Sequence, residues 1–436
     1  MPTLLTVLGI VLFAVAILVS IALHEVGHLV PAKRFGVKVT QYMVGFGPTL
    51  WSRRRGETEY GVKWIPLGGY IRMIGMFPPR PGDDPRFLRG SSTGPFQAMV
   101  EDARRMSLEE VAPGDEDRVF HRLKARQKVV VMLGGPTVNL VLGVVLLAVA
   151  LGGIGVQGIA RTATIGGISE CVQPATAPAA ACTADDPAAP AAAAGLRPGD
   201  EVVSFGGREV GTWAALQDAI ADAPPRRPVP VEVRRGGELL ELEVTPIPNQ
   251  RYADAERRRV ETVSFLGVSP ELVRTTVPLQ DLPGEVWTAV SRTASAVVGI
   301  PQRMADVWSA AFSGQERDPE GPIGIVGVSR IGGEVAALEE PLWTKASAFV
   351  SLVASLNLAL FVFNLIPLLP LDGGHVAGAL WEGTRRHVAR LRGRADPGPV
   401  DVARMLPVAY TVAILLIGMS GLLLYADLVN PVTLRG

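Results

Sequence analysis

Two histidines and a glutamate near the amino terminus have a spacing that suits metal-assisted hydrolysis. The stretch reads His24-Glu25-Val26-Gly27-His28. Residues four apart lie on one face of an α-helix, about 6 Å apart along its axis. Both imidazoles can then bind one zinc ion at about 2.0–2.1 Å, with the Glu25 carboxylate beside the open coordination position. The pattern therefore predicts a zinc site in which Glu25 is the general base.

A third zinc ligand must come from elsewhere, because catalytic zinc has three protein ligands and a water. The strongest candidate is Asp372, which follows an apolar stretch broken by two prolines and precedes two glycines. A break in a membrane helix opens room for polar groups, and a carboxylate there needs a cation as its partner. We expect Asp372 to complete a site for one Zn²⁺ per chain with His24 and His28. His375 is the alternative ligand, since histidine is the commoner zinc ligand.

The zinc motif lies within an apolar run that is long enough to cross a bilayer. Four stretches can span about 30 Å of hydrocarbon. They are Leu4–Val30, Val129–Val156, Ala346–Leu371 and Met405–Val429. The loops 33–128 and 385–394 are rich in Lys and Arg, and such loops stay in the cytoplasm. The sequence thus predicts a multi-pass plasma-membrane protein with region 157–345 outside and the zinc site toward the cytoplasm.

The composition agrees with a membrane protein that has sizeable polar parts. Charged residues make up 19% of the chain, against about a quarter in soluble proteins. The formal net charge is +0, which gives no reason to expect a nucleic-acid partner. The lipid bilayer is the expected surrounding. His121 and His387 lie among basic loop residues, and we expect them to be solvated.

The first basic loop has the pattern of a β-hairpin. Segments Val37–Leu50 and Glu59–Met73 alternate in part, are rich in β-branched and aromatic residues, and flank the polar turn Ser52–Gly56. Its glycines suit a strand near the membrane, whose edge can pair with an extended substrate. An ordinary cytosolic hairpin is the alternative.

The remaining segments give simpler expectations. We expect a loop over 77–107, a helix over 109–128, a linker over 251–263, an amphipathic helix over 279–312 and a turn at 321–325. Asn139 is a polar group within the second span. Asn139 either hydrogen-bonds a neighbouring helix or contacts substrate, and the first interpretation is slightly favoured.

Region 166–248 has short apolar strands, glycine turns and one amphipathic helix near 212–223. Its phrases AAGLRPGDEVV at 193–203 and FGGREV at 205–210 resemble a PDZ domain. The resemblance implies an open sheet edge that binds peptide termini. Cys171 and Cys182 are the two cysteines of the chain. Because this region is expected outside the cell, we predict a disulfide between them.

The whole chain resembles the site-2 protease family of intramembrane zinc metalloproteases, in its actinobacterial branch that cleaves anti-sigma factors. HExxH in the first span is combined with NxxPxxxLDG at 364–373. Further matching phrases are GFG at 45–47, PLGGY at 66–70, GPxxN at 135–139 and GPI at 321–323. The chain departs from the enterobacterial pattern in having one recognisable PDZ domain rather than two, and in the insertion 77–107.

The resemblance implies an α-helical polytopic membrane protein: four transmembrane helices, a membrane-associated β-hairpin and an extracytoplasmic α+β PDZ domain. The expected domains are 1–156 with the zinc motif, 157–250 as the PDZ domain, 251–345 as linker and amphipathic helix, and 346–436 with the third ligand. Single-span membrane proteins such as anti-sigma factors are the expected substrates, cut after a first cleavage outside. Residues expected to bind substrate are Asn364, Pro367, Asn139, Gly68 and Gly69.

Two other classes of function use some of the same features. A zinc transporter or metal chaperone also needs intramembrane His and Asp, but it gives Glu25 no required role and a PDZ domain no purpose. A catalytically inactive scaffold binds peptides through its PDZ domain, yet it needs no complete zinc motif. Retention of zinc with loss of cleavage in Glu25→Gln separates a protease from both.

Overall fold

The structure is a computed structural model that describes residues 2–79, 95–173, 182–183, 186–252, 260–313, 315, 317–318 and 321–432. The chain divides into two compact units. The first comprises Met1–Gly155 and Thr276–Gly436, and the second comprises Val156–Thr275. The second unit ends at Thr275, beyond the predicted end of the PDZ domain at residue 250.

The described residues form eleven α-helices and twelve β-strands. The helices are α1 (Pro2–Arg34), α2 (Pro95–Glu109), α3 (Ala125–Ala148), α4 (Pro190–Ala193), α5 (Trp213–Asp222), α6 (Leu282–Val298), α7 (Ile300–Phe312), α8 (Ile325–Ala337), α9 (Leu342–Asn364), α10 (Asp372–Leu391) and α11 (Leu406–Val429). The strands are β1 (Val39–Arg55), β2 (Thr58–Met73), β3 (Val156–Ile159), β4 (Ile165–Ile168), β5 (Glu201–Phe205), β6 (Arg208–Glu209), β7 (Val229–Arg235), β8 (Glu238–Val244), β9 (Ile247–Tyr252), β10 (Val260–Phe265), β11 (Val268–Pro270) and β12 (Leu272–Thr275).

Four helical segments of the described chain are long and apolar enough to cross a membrane, as predicted. They are Thr3–Arg34, Ala125–Ile154, Leu342–Asn364 and Val402–Val429. The second continues from α3 through a π-helical turn, Val149–Ile154. The predicted end of the third span at Leu371 is wrong, because helix α9 ends at Asn364. Two prolines follow within seven residues, and proline cannot continue the hydrogen-bond ladder of a helix.

Helices α1 and α3 cross where neither has a side chain. A Cβ atom added at Gly27 of α1 would lie 2.6 Å from the carbonyl carbon of Gly134 in α3 and 2.9 Å from the Cα atom of Gly135. Such distances leave no room for a methyl group, so the two backbones are in direct contact. This crossing places α3 against the helical turn that carries His24, Glu25 and His28.

Strands β1 and β2 form an antiparallel hairpin, as predicted, but the turn is at Gly56-Glu57 rather than across Ser52–Gly56. Gly56 has a φ of 63°, a conformation that glycine adopts at little cost. The base of the hairpin packs on α1 and α3 through a buried apolar cluster. Its members are Leu29, Ala32, Val37, Val39, Met73, Phe120, Leu123, Val131 and Met132. The hairpin is thereby held beside the zinc motif.

Several sequence expectations for the connecting segments are wrong. Residues 95–109 form helix α2 rather than a loop, whereas 80–94 of the same predicted loop lie outside the described residues. A continuous helix was predicted over 109–128. The chain instead forms turns and one 3₁₀ turn in this region, and helix α3 begins only at Ala125. The single helix expected over 279–312 is broken at Gly299 into α6 and α7. Helix α8, which packs on α1, follows the turn at 321–325 and was not predicted.

The second unit is built around a four-stranded antiparallel sheet in the order β6-β5-β7-β8, with α5 packed on its apolar face. Three two-stranded sheets complete it: β9 with β10, β4 with β11, and β3 with β12. The pairing of β9 with β10 shows that the linker expected over 251–263 is partly strand, while 253–259 lie outside the described residues. Cys171 and Cys182 are joined by a disulfide.

A buried ion pair fixes one loop of this unit. The Asp200 carboxylate accepts hydrogen bonds from the Arg235 guanidinium at 2.7 and 2.8 Å and from the Arg197 backbone N–H at 2.8 Å. Burial of Asp200 opposes its ionisation, but these hydrogen bonds outweigh burial and hold its pKa below the ordinary value. The loop 197–200 therefore has a fixed shape at the start of β5.

Candidate metal centre

Three potential ligand atoms from two helices converge at one point. The Nε2 atoms of His24 and His28 are 3.2 Å apart. Each of them lies 3.3 Å from Oδ2 of Asp372. Because His24 and His28 come from α1 and Asp372 is the first residue of α10, two distant parts of the chain meet here. We call these three residues the ligand triangle.

The edges of the ligand triangle match a tetrahedral zinc site. Ligand atoms about 2.0–2.1 Å from a tetrahedral zinc ion lie roughly 3.3 Å from one another. The observed edges of 3.2, 3.3 and 3.3 Å are therefore those of three ligands of one ion. Two imidazoles and one carboxylate are also a common ligand set for catalytic zinc. The residues present thus fit the metal.

The hydrogen bonds around the ligand triangle also indicate a metal site. His28 Nδ1–H donates to the carbonyl oxygen of Val131 at 2.8 Å, so in the neutral ring Nε2 presents its lone pair to the triangle. Among the described residues, Asp372 Oδ2 has no hydrogen-bond partner although it is buried. Lone pairs that face one another inside a protein repel, and a cation between them removes this cost.

Glycines allow the start of α10 to deliver Asp372. A Cβ atom at Gly373 would lie 2.5 Å from the carbonyl oxygen of Leu365, and one at Gly374 would lie 2.6 Å from the nitrogen of Leu369. Helix α10 therefore begins in direct contact with the turn that follows α9. This contact explains why two glycines follow the carboxylate: larger residues would push Asp372 away from α1.

Glu25 lies beside the ligand triangle and outside it. Its side chain is buried, with 8% of its surface exposed, and it lies against strand β2 of the hairpin. Gly69 of the same strand packs against it, since a Cβ atom there would lie 2.9 Å from Glu25 Cγ. A carboxylate held near a metal, but not bound to it, is placed to exchange a proton with water on the metal.

The other predicted site residues are not members of the ligand triangle. Asn139 is fully buried in α3, one turn beyond Gly135, and neither atom of its amide has a partner among the described residues. Asn364 is the half-buried last residue of α9, and Pro367 is exposed in the following loop. Gly68 lies against the ring of Phe46.

The remaining histidines are not members of the ligand triangle. His375, the alternative ligand, faces a small cavity of about 20 Å³ that Lys128 and Glu382 also line. His387 is exposed, as expected. The expectation that His121 is solvated is wrong, because its ring is half-buried and its Nδ1 lies 2.9 Å from the carbonyl oxygen of Gly75.

Sequence reasoning missed Gly135, which has no side chain yet shapes the site. A Cβ atom at Gly135 would collide with His28 Nε2 and would lie 2.6 Å from His24 Nε2. The side of the two rings that faces α3 is therefore open only because residue 135 is glycine. Its place in a glycine pair was visible in the sequence, but its contact with α1 depends on how two distant helices cross.

Gly135→Ala should lower zinc affinity by about 10–100-fold, the range found when groups that orient ligands are changed. The added methyl group would displace one or both imidazoles from the triangle. Zinc titration with a competing chelator measures the change. Gly418→Ala is the matched control, because nothing lies within 4 Å of a Cβ atom at that position of α11. Equal zinc affinity in both variants would show that the rings do not depend on the space at residue 135.

Comparison with known proteins agrees with this site. The model of Peptidase family M50 matches residues 12–396. Zinc metalloprotease Rip1 of Mycolicibacterium smegmatis is 36% identical over 446 residues, which cover 98% of each chain. Rip1 of Mycobacterium tuberculosis is 36% identical over 457 residues, covering 98% of this chain and 99% of its own. Zinc metalloprotease RasP of Shouchella clausii is 25% identical, covering 84% and 88%.

The family match covers all three residues of the ligand triangle, and the relatives named are zinc metalloproteases. The predicted resemblance is thereby confirmed, as is the requirement for Zn²⁺. With four helices able to cross a membrane, the chain is a multi-pass membrane protein. It belongs to peptidase family M50, the site-2 proteases, and is a zinc metalloendopeptidase.

Proposed function

We propose that this protease hydrolyses a peptide bond within or near the transmembrane segment of single-span membrane proteins, of which anti-sigma factors are the expected class. The observation that supports this most is the position of the ligand triangle. Two of its three residues belong to the membrane-length helix Thr3–Arg34. A site at this depth in the membrane meets transmembrane segments rather than soluble loops.

In this proposal His24, His28 and Asp372 hold the zinc ion. A zinc ion held by these residues would lower the pKa of a bound water toward about 7 and would polarise the scissile carbonyl group. Glu25 accepts the proton of the attacking water and passes it to the leaving amine. The contact with Gly69 holds the Glu25 side chain in place for both transfers.

The substrate must be unwound before it is cut, because a helix buries its peptide bonds in its own hydrogen bonds. We infer that the hairpin holds the extended form by strand addition, with Gly68 and Gly69 among the residues that contact the substrate. Asn364, Pro367 and Asn139 are proposed to contact the substrate. Support for Asn139 comes from its amide, which is buried without a partner among the described residues and can bond a substrate carbonyl group or the developing oxyanion.

We further propose that the basic loops are cytoplasmic and that residues 157–345 lie outside the cell, with the PDZ domain at 157–250. In that position the PDZ domain excludes substrates whose ectodomain is intact, and it binds the new terminus left by a first cut. Cleavage then releases a cytosolic fragment, as transmembrane stress signalling requires. The disulfide between Cys171 and Cys182 agrees with an oxidising extracytoplasmic location.

A reconstituted cleavage assay tests the proposal. The substrate is a single-span anti-sigma factor encoded beside its sigma factor in the same genome, prepared in detergent with and without its ectodomain. We expect the truncated form to be cut at least about tenfold faster, at a bond inside the apolar segment found by mass spectrometry. Cleavage only in soluble parts of the substrate, or equal rates for both forms, would contradict the proposal.

A further inference from the structure

The hairpin contacts α1 close to Glu25 through a hydrogen bond and through a close approach of its backbone. The hydroxyl of Tyr42 in β1 donates to the carbonyl oxygen of Ala22 at 2.8 Å. In β2, a Cβ atom at Gly69 would lie 2.9 Å from Cγ of Glu25. Across the hairpin, Tyr42 pairs with Ile71 and Val44 pairs with Gly69. One part of the hairpin is therefore bonded to the backbone of α1 and packed on the side chain of Glu25.

This arrangement restricts Glu25 more than helix α1 alone would. A side chain on a helix has several rotamers, each of which points the carboxylate in a different direction. Here the Gly69 backbone lies against the Cγ atom, so the hairpin limits the directions that the carboxylate can take. The direction of the carboxylate stays fixed only if the distance between the hairpin and α1 is fixed. Among the described hydrogen bonds, the one from Tyr42 to Ala22 holds that distance three residues before Glu25.

We propose that Tyr42 is a positioning residue for catalysis: its hydroxyl fixes the part of the hairpin that packs on Glu25, and so keeps the carboxylate in line for proton transfer. The inference rests on the proposed role of Glu25 as general base. Proton transfer requires heavy atoms within about 3 Å, and a misplacement of about 1 Å is enough to lower a rate by about 100-fold. Tyr42 acts through Glu25 and does not itself touch the ligand triangle.

One further observation supports the role of the hydroxyl, and a second tyrosine of the hairpin provides a control. Burial raises the pKa of Tyr42 to about 12, so its hydroxyl stays protonated and remains a donor at any working pH. The hairpin also offers a matched residue, Tyr60, whose ring packs on that of Tyr42 with centroids 5.6 Å apart. The Tyr60 hydroxyl instead accepts a hydrogen bond from Lys33 at 2.9 Å, beyond the other end of the zinc motif.

The test compares Tyr42→Phe with Tyr60→Phe. Each change removes one hydroxyl and keeps the ring that packs in the hairpin. Turnover of the truncated anti-sigma factor is measured together with zinc content and thermal unfolding. We expect Tyr42→Phe to lower kcat by about tenfold with KM changed less than about twofold. Zinc content should stay at one per chain, and Tyr60→Phe should have wild-type kcat.

Two results would overturn this role. The first is wild-type kcat in Tyr42→Phe. The second is an equal loss of kcat in both variants, since the hydroxyl at residue 42 would then have no particular effect. Glu25→Gln in the same assay separates this failure from that of the proposed function. If Glu25→Gln is inactive while Tyr42→Phe is fully active, only the role of Tyr42 is wrong; an active Glu25→Gln overturns the role of the base itself.

Discussion

Glu25→Gln should lower kcat by about 10²–10⁴-fold, the usual contribution of a general acid–base group, while the protein keeps one zinc ion per chain. Glutamine has the size of glutamate and can occupy the same buried place beside Gly69. Its amide cannot accept the proton of the attacking water. Since Glu25 is not a member of the ligand triangle, the metal site should be unaffected. Turnover of the truncated substrate and zinc content by mass spectrometry are measured on one preparation.

Glu285→Gln is a suitable control for the loss of a carboxylate. Glu285 is exposed in the first turn of α6, so the change should leave both turnover and zinc content at wild-type values. Turnover in Glu25→Gln within a few-fold of wild type would contradict the proposed chemistry, because another group would then be taking the proton.

Asp372→Ala should abolish activity by a different route, through loss of the metal. The change leaves only two of the three protein ligands, and alterations even to groups that merely orient ligands cost about 10–100-fold in metal affinity. We therefore expect affinity to fall by at least about 100-fold and the purified variant to contain little zinc. The carboxylate also neutralises part of the metal charge inside a buried site, which makes its removal more costly.

His375→Ala is the matched control, because it tests the alternative ligand one helical turn further along α10. His375 faces the cavity with Lys128 and Glu382 rather than the triangle. The variant should bind zinc as the wild type does. If His375→Ala lost its zinc and Asp372→Ala kept it, the ligand assignment would be reversed.

The zinc motif and its third ligand illustrate what sequence reasoning can predict. The spacing of His24 and His28 is a local property of a helix, so it is visible without any structure. Asp372 was identifiable because a charged residue next to a membrane span needs a partner. The number of spans followed from the lengths of apolar runs. Each of these inferences depends on residues that are close in sequence or on the cost of charge in lipid.

The parts that were missed depend on contacts between distant segments. Gly135 matters because α3 crosses α1 at Gly27, and no periodicity within one helix shows which glycine meets which ring. In the sequence pattern Tyr42 is an ordinary strand residue, because its hydrogen bond to Ala22 forms only when the hairpin packs on α1. Helix α8 was overlooked because its 13 residues are too short for a span and follow a glycine-rich turn.

The zinc content of Glu25→Gln and Asp372→Ala, purified side by side with the wild type, tests the central claim most directly. Both variants should be inactive, but for different reasons. We predict one zinc ion per chain in the wild type and in Glu25→Gln, and little zinc in Asp372→Ala. A full complement of zinc in Asp372→Ala, bound as tightly as in the wild type, would contradict a metal site made of His24, His28 and Asp372.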